Sequence, residues 1–534
     1  MNVPESVTAP KSPGVMKNFS VISSTNFLTA LVSYVRFAWV AKIFGADWRT
    51  DAFAVSLVVP FLIRDLITYT FASSFLPIYA RVFEEQGRKG AVRFVNRVLT
   101  MVAIIGTVLL AAVFVGSRSV VLAASPGGSP EMLTLAASML KILAPMVLLK
   151  VLSGILTNFI YYEKRFLSVG LASLLDLGVS AALIIGAGSR FGIMILPISF
   201  TAGVAVSFAF MLVSAMKSGY KIDPNLEKDR YMPQLLRMAV PVLIGAAAAV
   251  MGPVVDKMLA SYLRASSITA LDYGDRIRTI VNNVAFAPFA IMAEVSFSAL
   301  AARGELDRML MQLNSWLNKT SMLIFPIAAA LTAVSFPFVS VFFQRGSFSV
   351  ENARYVSYAL TCYAPWLLFT GLFTLTSRVF YALKDTMTPV IIGIFGLVIN
   401  ILLNFILIEP LGIGGLALAT SFALAVKAFY QAWALSRKLP GMEFRPILPE
   451  QMKMLLATAV MTVILLLAQR VIVFAPHGSF LVRAGLFLFY LSTGSVAYLF
   501  MLAVLRCRTM TEFFSQARSR LHASRRANRE ETLS

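Results

Sequence analysis

Apolar runs of about twenty residues, long enough to cross about 30 Å of hydrocarbon, recur almost from one end of this chain to the other. With 58% of its 534 residues apolar and only 14% charged, the chain is outside the range of a soluble globular protein and reads as an all-α, polytopic membrane protein. Breaks at charged or Gly/Pro-marked positions divide it into about fourteen transmembrane helices, near 19–45, 51–79, 93–117, 132–161, 166–188, 192–216, 233–263, 268–302, 314–343, 352–382, 387–408, 412–436, 452–474 and 481–506.

The net charge of +21 is distributed by topology. Every second connection is basic: Arg81, Arg88, Lys89 and Arg93, then Lys164 and Arg165, then Lys217, Lys221, Lys228 and Arg230, and onward through Lys384 to the Arg-rich tail. The alternate connections are poorer, with Arg49, Arg118, Arg190 and Arg264 and no basic residue from Glu409 to Gly415. This positive-inside pattern predicts a multi-pass membrane protein with both termini cytoplasmic, and accounts for the charge without a nucleic-acid partner. The polar, Pro-containing 1–17 stretch and the long first apolar run do not fit a cleavable signal peptide. With two cysteines and two histidines, no metal site is proposed, and no Gly-rich Lys-Ser/Thr phosphate loop is present to drive a nucleotide motor.

The connection 217–232 divides the chain. The expected organisation is a cytoplasmic segment at 1–18, an N-terminal lobe of six helices at 19–216, a C-terminal lobe of six at 233–437, two further helices within 452–506, and a basic tail at 507–534 that meets lipid headgroups or is disordered. Thr50-Asp51-Ala52-Phe53 with Arg64 downstream is echoed by Thr269-Ala270-Leu271-Asp272-Tyr273 with Arg276 downstream. Arg36, Arg64 and Arg276 lie inside apolar segments, where a guanidinium costs roughly 3 to 15 kcal/mol unless it faces a polar interior. They are therefore candidate functional residues. Arg36 and Arg64 lie about 18 and 24 Å from their shared hairpin connection, similar depths that suit one anion site.

Several strings resemble the MurJ (MviN) family of lipid II flippases, within the multidrug/oligosaccharidyl-lipid/polysaccharide exporter superfamily. They are Arg36-Phe37-Ala38-Trp39-Val40-Ala41-Lys42-Ile43-Phe44-Gly45-Ala46 running on to Thr50-Asp51-Ala52-Phe53, Pro60 and Arg64; Ala270-Leu271-Asp272-Tyr273-Gly274-Asp275-Arg276; Phe343-Gln344-Arg345-Gly346-Ser347-Phe348; Phe380 to Pro389; and Gly415 to Ser421. They occur in family order. The resemblance implies a flippase that moves a lipid-linked glycan pyrophosphate, lipid II, by alternating access of two lobes around a cationic cavity, with the last two helices forming a groove for a polyprenyl tail. It implies Arg36, Lys42, Arg64 and Arg276 as substrate-binding residues, and membrane lipids and cell-envelope synthesis proteins as partners.

The chain also departs from the family. Ala30 stands where the family has an arginine, Lys42 replaces another and loses its bidentate fork, Asp65 follows Arg64 in place of a second base, and the Phe71-Ala72-Ser73-Ser74-Phe75 region is one residue short. These changes make the cavity less cationic and favour, as the main alternative, another polyprenyl-linked glycan such as an O-antigen or exopolysaccharide unit. A transport-incompetent envelope scaffold and a membrane enzyme are further alternatives; the short, acid-poor external connections count against the enzyme.

Asp51, Asp272, Asp275, Asp176 and Asp256 are read as supporting or ion-coupling residues, each with a competing role in local pairing. Asp51 or Asp65 could pair with Arg36 and Arg64, and Asp272, four residues before Arg276, could neutralise it. No cofactor is expected. Transport would draw on membrane potential or a cation gradient, worth about 2.3 kcal/mol per charge per 100 mV.

Overall fold

The computed structural model describes residues 13–163, 165–227, 229–439, 446–512 and 515. The extreme N-terminal segment and most of the basic tail, as well as Lys164, Lys228, Arg445 and the side chains of Phe71, Ala72 and Ser73, lie outside the described residues. Among the described residues are seventeen α-helices. Nine helical stretches among these residues are long and apolar enough to span a membrane, or up to eleven counting each of two bent pairs as one span, so this is a multi-pass membrane protein.

The first compact unit runs to Thr269 and includes Arg345–Phe348. It holds α1 (Pro13–Phe44), α2 (Trp48–Ser56), α3 (Val58–Val115), α4 (Ser117–Ala124), α5 (Pro130–Tyr162), α6 (Phe166–Phe191), α7 (Ile195–Lys217) and α8 (Tyr231–Ala260). In it α5 packs on α2, α3 and α7, α6 on α1 and α7, and α8 on α3. The second unit comprises Ala270–Gln344 and the chain from Ser349 on. It contains most of α9 (Ser267–Ala285), then α10 (Ala287–Ala302), α11 (Leu306–Ala333), α12 (Ser335–Phe343), α13 (Val350–Ala382), α14 (Met387–Leu411), α15 (Ile413–Lys438), α16 (Leu448–Val471) and α17 (Phe480–Val504). There α13 is central, touching α10, α11, α12 and α15, and the α16/α17 hairpin packs on α11. The lobes drawn from sequence divide at 217–232; the compact units divide later, at Thr269, because α8 packs against α3.

Three expected spans are broken, and proline accounts for two of the breaks. A helical proline lacks an N–H and clashes with the carbonyl four residues back. Pro60 stands four residues after Ser56, where α2 stops, and Pro337 four residues after Ala333, where α11 turns by 79° into α12. In apolar surroundings the freed carbonyl needs a donor. Gln469 Nε2 of α16 supplies it, 2.9 Å from the Ala333 oxygen. The expected 268–302 helix is likewise two pieces, with a 51° bend between Ala285 and Phe289.

Conversely, the basic connection between the second and third expected helices is helical. Its Ala, Arg, Glu and Gln residues are strong helix formers, so α3 runs through it with one interruption at Gly87, whose φ of 67° only glycine adopts at little cost. The long 217–232 connection is tied to α3 within the first unit. Tyr220 donates to Asn96 Oδ1 at 2.5 Å, Asn96 Nδ2 donates to the Lys221 carbonyl at 2.8 Å, and Arg97 pairs with Asp229. Beneath it, Phe75, Tyr79, Phe94 and Phe159 form a fully buried aromatic core. Side chains such as Ile105, Val115, Leu402 and Phe405 are exposed instead, as helices bathed in lipid allow.

Candidate functional site

Arg36 lies on α1, with 9% of its surface exposed. Its guanidinium donates to Ser180 Oγ on α6 at 3.4 Å and rests 4.2 Å over the Phe200 ring on α7. Phe200 in turn meets Phe53 of α2 edge to face at 5.2 Å. Arg36 is thus set into helix packing by cation–π and hydroxyl contacts. Lys42, six residues on, falls on another face of the helix and is exposed, its ammonium 4.5 Å from the Trp39 ring. Arg64 forms an ion pair with Asp65 at 2.8 Å and stacks on Phe61 at 4.2 Å, so the acid that marks a departure from the family pattern neutralises the neighbouring base. These three basic residues each find separate partners.

Among the described residues, Asp51 forms no ion pair with a base. Its buried carboxylate accepts from Ser266 N–H at 2.6 Å, from Thr269 N–H at 2.7 Å and from the Thr269 hydroxyl at 2.6 Å; that hydroxyl also lies 3.1 Å from Thr50 Oγ1. The two echoing strings, Thr50-Asp51 and Thr269, are therefore in contact within the first unit. Asp51 satisfies backbone donors at the start of α9, whose first residue is Ser267. Asp176 on α6 pairs with Lys150 of α5 at 2.5 Å, and a β-carbon at Gly203 of α7 would stand 2.3 Å from the Asp176 carbonyl, so three helices converge there. Asp256 is buried in α8.

In the second unit Arg276 Nε donates to Asp272 Oδ2 at 2.6 Å, the i, i+4 pair expected from the spacing. Gly274 lets α9 approach α13, where a β-carbon would be 3.3 Å from Ala359 and Tyr363. Asp275 holds a different partner, Arg278, at 2.5 Å. Arg278 was missed from sequence: it lies about 200° around the helix from Arg276 and projects into another environment, 3.9 Å over the Trp366 ring. Its proximity in sequence to Asp275 was the only available signal. Arg378 of α13 pairs with Glu294 of α10 at 3.0 Å.

Two further features fix the elements carrying these residues. Arg483 of α17 is buried and donates to the Ser340 and Gln344 carbonyls at 3.0 and 3.2 Å, capping the C-terminus of α12 with a cation. In the Phe380 to Pro389 string, Asp385 accepts from Thr388 N–H and Oγ1 at 3.0 and 2.8 Å and pairs with Lys438 of α15. Burial alone would raise the Asp385 carboxyl, but the Lys438 and Thr388 hydrogen bonds outweigh it and hold the pKa at about 2. Such a lowered pKa adds stability at neutral pH that is lost as pH falls from about 4 to about 2. Asp385→Asn should therefore lower the thermal midpoint at pH 7 and leave it unchanged near pH 2, measured on purified protein in detergent.

The cavity of about 230 Å³ between α3, α5 and α8 is lined by Ile63, Ile67, Val102, Leu148, Leu235 and Leu243. It is too apolar to hold a diphosphate.

Comparisons with known proteins agree with the strings read from sequence. The family model described as "Lipid II flippase MurJ" matches residues 40–485. A relative from Buchnera aphidicola subsp. Acyrthosiphon pisum, described as "Probable lipid II flippase MurJ", is 25% identical over 521 residues, covering 94% of this chain and all of the relative. Among solved structures, "Lipid II flippase MurJ, inward closed conformation" superposes with a TM-score of 0.75 at 21% identity over 90% of this chain and 98% of the other. An inward-facing multidrug resistance MATE family transporter of the MOP superfamily superposes with a TM-score of 0.64 at 18% identity, over 77% and 94% of the two chains. These two likenesses bear on the fold, and the family match extends across most of the helices described above. The chain belongs to the lipid II flippase MurJ family.

Proposed function

We propose that this protein flips the lipid-linked peptidoglycan precursor lipid II across the bacterial cytoplasmic membrane by alternating access, with no covalent step. The family match carries the reading. The chemistry supports it: a diphosphate crossing hydrocarbon needs charge-assisted donors, and Arg36, Arg64 and Arg276 supply guanidinium groups from otherwise apolar helices. Each is presented by an acid, a hydroxyl or an aromatic ring, so it is oriented before substrate arrives. Lys42 belongs to the substrate-binding set in this reading, and Asp275 supports it. The positive-inside pattern puts both termini in the cytoplasm, and membrane potential or a cation gradient drives the cycle.

One observation favours a second substrate. The Arg64–Asp65 pair lowers the net charge near that arginine, as suits a different polyprenyl-linked glycan. A host depleted of its own flippase, with this gene as the only rescue, separates the two. Growth with no build-up of lipid II on the cytoplasmic side is the expected result. Failure to rescue, with export of another lipid-linked glycan by the same protein, would replace lipid II with that glycan.

A further inference from the structure

Lys427 lies near the middle of α15, in a segment apolar enough to span the membrane. Among the described residues no carboxylate lies within 4.0 Å of its ammonium, whereas Lys150, Arg276, Arg278 and Arg378 all have one. Its ammonium lies 5.3 Å from the Phe373 ring of α13, and Trp366, two turns before Phe373 on the same face of that helix, carries the guanidinium of Arg278 at 3.9 Å. Two cations set along one face of α13 in low dielectric repel, and Asp275 neutralises only Arg278. An anion seated between them is attracted by both.

The surroundings hold both groups in place. Arg278 stacks on Trp366 and reaches Tyr363 of α13 at 5.5 Å, while its Nε and Nη2 bind Asp275 at 3.1 and 2.5 Å; its Nη1 donates to no described residue. Thr370, one turn along α13, donates to Asn282 of α9 at 3.3 Å and fixes the two helices side by side. The stem of Lys427 passes over Gly396 of α14, where a β-carbon would come within 2.1 Å of its Cδ. One turn on, Gln431 Nε2 reaches the Phe373 carbonyl, Thr376 Oγ1 and Ser377 Oγ at 2.8 to 2.9 Å, locking α15 to α13. An ammonium and a guanidinium edge with open donors, walled by aromatic rings, suit the several acceptor oxygens of a phosphate group.

We propose that Lys427 and Arg278 form a phosphate-binding site in the second unit that takes the phosphate group of an anionic lipid. The lipid is either a polyprenyl diphosphate or a phospholipid, two sources of one chemistry. The site does not include Arg36, Arg64 or Arg276, and its test requires no transport.

The test uses purified full-length protein carrying Arg64→Ala and Arg276→Ala, so that binding at those residues does not contribute. Thermal stabilisation is titrated with farnesyl diphosphate and, separately, with phosphatidylglycerol in nanodiscs against a phosphatidylcholine background. Saturable stabilisation by at least one probe is expected, with an apparent Kd raised about tenfold by Lys427→Gln and held within about twofold by Lys427→Arg. Response to farnesyl diphosphate alone identifies the diphosphate source, and response to phosphatidylglycerol alone the resident phospholipid. Arg278→Gln gives the same reading should Lys427→Gln not fold. Absence of stabilisation by either probe, or equal affinity in Lys427→Gln, overturns the site.

Discussion

Arg276→Ala should reduce transport by at least about a hundredfold while membrane levels of the protein stay near normal. Each charge-assisted hydrogen bond from a guanidinium to a phosphate is worth about 1.5–3 kcal/mol, and two such bonds give that factor. Arg276→Lys should also be costly, because an ammonium cannot reproduce the planar fork. The Asp272 pair sets the alternative. If Arg276 only neutralised Asp272 at 2.6 Å, its removal would strand a half-buried carboxylate and the protein would fall from the membrane. Rescue of the depleted host, read beside quantitative immunoblotting, separates these outcomes. The exchanged variant Asp272→Arg/Arg276→Asp adds a check: it preserves a pair but moves the guanidinium one turn, so it should remain inactive. Restored activity would make the pair structural.

Much of this was readable because bilayer-length apolar runs leave the backbone few options besides helix. The i, i+4 relation of Asp272 and Arg276 follows from helical spacing alone. What was not readable depended on contacts between distant segments. Asp51 and Thr269 are separated by 218 positions, and nothing in Thr50-Asp51-Ala52-Phe53 states that the acid will cap a later helix. Lys427 lies within an apolar run, yet that no described carboxylate reaches its ammonium emerges only once α13, α14 and α15 are packed. The breaks at Leu57 and Val334 could have been found from Pro60 and Pro337, but apolar runs continuous through both positions masked them. The Gly87 interruption was hidden differently, since a basic stretch reads as a loop while its residues favour helix.

Asp51→Asn should destabilise the first unit by about 3 kcal/mol, a large effect for a change that preserves shape. The carboxylate offers acceptors to three donors, with Oδ2 facing Ser266 N–H and Oδ1 facing both Thr269 groups. An asparagine keeps one acceptor. Whichever way its amide is turned, an NH₂ then meets an N–H or hydroxyl donor in a place that is 3% exposed. Ala removes the acceptors altogether and should cost as much or more. Asp65→Asn provides the comparison: its pair with Arg64 is about one-third exposed on both sides, so less than about 1 kcal/mol is expected. The measurement is the thermal midpoint of each variant in the same detergent, with the fraction recovered from membranes. A normal midpoint in Asp51→Asn together with lost dependence of transport on a cation gradient would assign Asp51 to ion coupling. A lowered midpoint, with residual transport still dependent on the gradient, assigns it to holding the start of α9, the helix that carries Arg276 two turns further on.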